Sequence, residues 1–73
     1  MDEKELMEIL IRDNPEFKRA YDEHRMCKES LENLNSKPFL SEAEQIEEKE
    51  LKKKKLTLKD SMYRMMLEYR KTH

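Results

Sequence analysis

Apolar positions recur at intervals of three and four residues in three separate runs, the spacing that gathers side chains on one face of a helix. In residues 2–13, Leu6, Ile9 and Leu10 share a face that Met7 and Ile11 broaden. Asn14-Pro15 then marks a boundary, because Asn is a good N-cap and Pro is favoured at the first helical position. The second run has Phe17, Ala20, His24, Cys27, Leu31 and Leu34 in heptad spacing, flanked by Tyr21. It predicts a helix over 15–35 with a narrow seam suited to one partner helix. Asn35-Ser36-Lys37-Pro38 breaks that helix, and Phe39-Leu40 are expected to anchor the connection where it folds back.

Ser41-Glu42-Ala43-Glu44 has the capping-box form S-x-x-E, which predicts a third helix over about 42–71. Its seam reads Leu51, Lys55, Leu58, Met62, Met65 and Tyr69, with Leu56, Met66 and Leu67 widening the apolar surface towards the end. Glu48/Lys52 and Glu50/Lys54 stand at i, i+4 in the favourable orientation. The expected fold class is therefore all-α: a short N-terminal helix followed by an antiparallel two-helix, coiled-coil-like hairpin, in one domain over 1–73. A turn centred near Pro38 pairs residues whose numbers sum to about 76, which sets His24 and Cys27 near Leu51 and Phe17 near Leu58. The third helix overhangs the second, and its last turns carry Met62, Met65, Met66, Leu67 and Tyr69. Asp13-Asn14-Pro15 permits the first helix either to bend back over that end or to run nearly straight on.

Composition narrows the function classes. The chain has 73 residues, no glycine and 45 % charged residues. Without glycine, Rossmann and Walker-type phosphate loops are excluded, because both need backbone positions that only glycine occupies cheaply. The net charge of −1 gives no global attraction to nucleic acid or anionic membrane. Charge is unevenly spread, however: residues 41–50 carry five Glu and one Lys, whereas 51–59 carry five Lys and no acid. A lone cysteine, Cys27, suits a reducing cytosol. No run approaches the roughly 20 apolar residues of a membrane span, and the acidic start leads into no secretory signal, so a cytoplasmic protein without membrane contact is expected.

Asn14-Pro15-x-Phe17, Glu23-His24, Leu31-x-x-Leu34, Leu40-Ser41 and Leu56-x-Leu58-Lys59-Asp60-x-Met62 together resemble the YdcH-like family of small bacterial proteins, a domain of unknown function. The resemblance covers roughly residues 5–67. Cys27 departs from it, standing where the family usually has an apolar residue such as Leu. The resemblance implies a helical hairpin and a bacterial cytoplasmic setting, and no established activity.

Candidate chemistry is sparse. His24 and Cys27 stand at i, i+3, a spacing that offers two metal ligands, but within one chain only His73 remains to add to them. The pair already has a packing role on the seam, so no metal and no cofactor is expected. A proton-sensitive hinge at His24 is the other reading of that position. Cys27 lacks an oxyanion loop and a closed cleft, and the carboxylates lie on solvated faces, so an enzyme is not expected. Lys52–Lys55 step about 100° each around a helix and do not form one basic stripe. Lys55 falls on the seam, whereas Lys52, Lys53, Lys54 and Lys59 are the candidate nucleic-acid contacts. The favoured reading is a non-enzymatic interaction protein that self-associates, as a dimer or higher oligomer, or binds a helical partner. Its candidate surface is Leu6, Ile9, Leu10, Leu58, Met62, Met65, Met66 and Tyr69, since methionine-rich faces adapt to partners. The different-class alternative is a small regulator associated with nucleic acid or the ribosome.

Overall fold

The chain is all-α. A computed structural model describes residues 2–72, with α1 at Glu3–Asp13, α2 at Pro15–Asn35 and α3 at Glu42–Thr72. Each start is chemically fixed. Asp2 accepts from the Glu5 amide at 2.8 Å, capping α1. Asn14 Oδ1 accepts from the amides of Glu16 and Phe17 at 3.0 and 3.1 Å, with Pro15 in the first turn of α2. Ser41 and Glu44 form the capping box reciprocally: the Glu44 amide donates to Ser41 Oγ at 3.2 Å, and the Ser41 amide donates to Glu44 Oε1 at 3.1 Å. These bonds satisfy amide donors that have no partner inside the helix.

The ends are made without left-handed residues. No described residue has a positive φ. α2 closes instead with Ser36 in the right-handed region, its amide donating to the Glu32 carbonyl at 3.1 Å and its hydroxyl to the Asn33 carbonyl at 2.7 Å. A chain lacking glycine thus ends its helix with side-chain and carbonyl bonds where a C′ glycine is the common device.

α2 packs along α3, and α1 lies against both. Lys37 pairs with Glu44 near the connection and Asn14 with Met65 far from it. Partner numbers therefore sum to about 80, so α3 is displaced by about one turn from the expected register. Phe17 consequently joins Met62 and Met66 in the core, and His24 meets Lys55 and Lys59. Phe39 is also a correction: it is 88 % exposed and anchors nothing. The capping box and the Lys37–Glu44 pair hold the connection in its place.

The core sits at the end where all three helices meet. Leu6, Leu10, Phe17, Ala20, Met62 and Met66 form one buried cluster, with Met7, Ile11, Tyr21, Leu58, Met65 and Tyr69 partly covered around it. Towards the connection, Cys27, Leu31 and Leu34 are buried on the α2 seam and Leu51 is half-buried on α3. The molecule measures 47 × 19 × 16 Å. Thirty-one residues of α3 at about 1.5 Å each account for the long dimension.

Candidate functional site

The methionine-rich end is largely closed by the chain itself. Asn14 is at once the last cap of α1 and the first of α2: its amide donates to the Leu10 carbonyl at 2.8 Å while its side chain caps α2. Its backbone is extended there, with φ −119° and ψ 103°. One non-helical residue is enough to turn α1 back, and Leu6 and Leu10 then cover Met62 and Met66. Leu6, Leu10, Met62 and Met66 are therefore core residues and not an open docking surface, a correction to the sequence expectation. Leu58, Met65 and Tyr69 are half-buried at the edge of that cluster, and Ile9 is half-buried on α1.

The larger exposed apolar side chains lie elsewhere. Leu56 is 63 % exposed, Tyr63 55 % and Leu67 45 %. At about 100° per residue these three share one face of α3, about 140° from the seam of Leu51, Met62 and Tyr69. Leu56 and Leu67 do not widen the buried surface as expected; they form a second stripe on the outside. The sequence carried the signal, since Leu56, Tyr63 and Leu67 are spaced by seven and four residues. Ile46 is 59 % exposed one shoulder away from that line.

His24 is half-buried on the α2 seam, and its Nε2 is enclosed with no hydrogen-bond partner among the described residues. Burial, then Lys55, Lys59 and Lys28, push its pKa below the usual 6.5, because each disfavours a second positive charge. It lines a groove between the helices with Met7, Tyr21, Arg25, Lys28 and Lys59. Cys27 is a buried free thiol. Among the described residues, no group of three His, Cys, Asp or Glu side chains is placed to hold a metal ion. His73 lies outside the described residues.

Lys52, Lys53, Lys54 and Lys59 are exposed, while Lys55 is half-buried beside His24. Lys52 pairs with Glu48 at 3.4 Å on the exposed side of α3. Among the described residues, no ion pair joins Glu50 to Lys54 or the acids of α2 to the lysine run, so the run is less neutralised than its sequence neighbours suggest. Exposed pairs of this kind contribute about 0–1 kcal/mol. No described helix is long and apolar enough to cross a membrane.

Residues 17–66 match the model of a family described as "Protein of unknown function (DUF465)". The match begins at Phe17 and ends at Met66, two residues of one core cluster, and leaves α1 outside. No curated protein matches the chain, and no solved structure does.

Proposed function

This chain belongs to the DUF465 family, to which the YdcH-like proteins also belong, and on that premise we propose that it is a non-enzymatic helical interaction protein of the bacterial cytoplasm. Its architecture in this reading is an antiparallel, coiled-coil-like hairpin of α2 and α3, with α1 folded back over one end. It acts by binding a second copy of itself or a helical protein partner. The observation that carries the reading is the outer stripe of α3, where Leu56, Tyr63 and Leu67 remain exposed although the chain has a core of its own. Surface area supports it. The chain exposes 5942 Å², against about 4900 Å² for a compact monomer of 9.0 kDa.

A photo-crosslinking amino acid in place of Tyr63 in living cells tests this. An adduct at twice the mass supports self-association, and one at another mass a protein partner. Recovery of unmodified monomer alone overturns the reading.

The second reading, contact with nucleic acid through Lys52, Lys53, Lys54 and Lys59, is favoured by their exposure and, among the described residues, by the ion pairing of only one of the four. Log affinity for duplex DNA or RNA would then fall with log salt at about 0.9 per phosphate neutralised. Charge reversal of the four lysines would abolish that dependence, and a flat salt profile in the wild type would remove the reading.

A further inference from the structure

The groove beside His24, where the three helices meet, joins apolar walls to a cationic rim. Its volume is about 290 Å³. Met7 from α1, Tyr21 from α2, and Met62, Tyr63 and Met66 from α3 supply the apolar walls. An α-helix, about 10 Å across, is too large for that space, which lies near the lower limit of clefts that take a small molecule. Methionine walls suit a flexible apolar chain, because the unbranched thioether re-packs around different shapes.

The rim has the opposite sign to the chain as a whole. Arg25, Lys28 and Lys59 line it against one acid, Glu3, although the net charge is −1. Arg25 pairs with Glu29 at 4.0 Å, and Glu29 is not part of the groove. Lys28 and Lys59 make no ion pair among the described residues. They approach from α2 and α3 and, with Lys55, oppose a charge on the same imidazole, that of His24. The enclosed Nε2 of that ring has no hydrogen-bond partner among the described residues. An anion seated between Lys28 and Lys59 supplies the counter-charge that Glu3 alone does not.

We propose that this groove binds a small single-chain amphipathic anion, its apolar tail against Met7, Met62 and Met66 and its anionic head between Lys28 and Lys59. The groove shares only Tyr63 with the outer stripe of Leu56, Tyr63 and Leu67, so the proposal goes beyond the interaction reading and does not depend on it.

Titration of the full chain, labelled at its methionine methyl groups, with decanoate below its micelle concentration tests the site by NMR. The methyls of Met7, Met62 and Met66 are expected to shift saturably, while that of Met26, 63 % exposed and outside the groove, stays in place. Decanol, which has the tail without the charge, is expected to bind about tenfold more weakly. Decyl phosphate is the arm that separates a phosphate head from a carboxylate, and whichever anion binds more tightly names the head. Lys28→Gln with Lys59→Gln, both at exposed positions, is expected to weaken decanoate binding about tenfold at unchanged helicity by circular dichroism. Removing the same two charges as Lys53→Gln with Lys54→Gln, outside the groove, is expected to leave binding as it is. Glu3→Gln is expected to tighten it, an effect that lost packing would not produce. Methyl shifts at Met7, Met62 and Met66 no larger than at Met26 overturn the site. Equal binding of decanol, or undiminished binding by the Lys28 and Lys59 double variant, overturns the anionic head.

Discussion

Asn14 donates from Nδ2 to the Met65 sulfur at 3.8 Å, joining the α1–α2 boundary to the far end of α3 across 51 positions of sequence. The same side chain's Oδ1 caps α2, and its backbone closes α1. One residue therefore ties all three helices together. Asn14→Ala is expected to lower stability by about 1–2 kcal/mol, chiefly through the lost cap. Asn14→Asp keeps the acceptor for the α2 amides and loses only the donor to Met65, so it should fall between wild type and Ala. Urea denaturation followed by circular dichroism measures both, and equal losses would refute the division of roles.

Leu6 is fully buried against Met62 and Met66, whereas Ile9 on the same helix is half-buried. Leu6→Ala should cost about 2–5 kcal/mol by removing packed methyl groups and leaving a cavity. Ile9→Ala should cost clearly less. If the two substitutions prove equally mild, α1 does not close the methionine-rich end in solution.

The imidazole of His24 titrates more easily unfolded than folded, since burial and Lys55, Lys59 and Lys28 oppose its charge. Around it the groove also holds Glu3 of α1 and Arg25 of α2. A depressed folded pKa means that the unfolded chain binds more protons below the ordinary value of 6.5. The contribution to stability is full above that pH and is lost as pH falls from it towards the folded pKa. Denaturation midpoints should therefore decline through this window in the wild type and less in His24→Gln. A midpoint that rises on acidification would reverse the sign and refute the assignment.

Glu44 has the opposite charge type and a lower window. Bonds from Lys37 and Ser41 hold its carboxyl down from 4.5 to about 2. Stability from this group is present above 4.5 and is lost as pH falls towards 2. Glu44→Gln keeps a capping side chain without the titration, so the acid limb of the stability profile should flatten. An unchanged acid limb would assign that limb to other carboxylates.

Helix boundaries were legible because their signals are local: Asn14-Pro15 and Ser41-x-x-Glu44 act through bonds spanning two or three residues. The all-α class followed from the three-four spacing and the missing glycine. Register was not legible, since it depends on where Leu6 and Leu10 settle between Phe17 and Met62, a contact no short window contains. The same gap explains the candidate surface. Met62 and Met66 read as available only while the direction of α1 after Asn14 was open. Leu56, by contrast, could have been set on the outer face by counting 100° steps, and was misjudged because apolar residues near a seam were grouped with it.

The length of α3 also governs how this molecule moves through solvent. A radius of gyration of 14.9 Å is that of a globular chain of roughly 150 residues, about twice the 73 present. A single copy will tumble and diffuse as a rod, emerging from a size-exclusion column near the position of a compact dimer. Elution volume alone would thus register two chains where there is one, and light scattering or sedimentation, which weigh rather than size the particle, must count the copies.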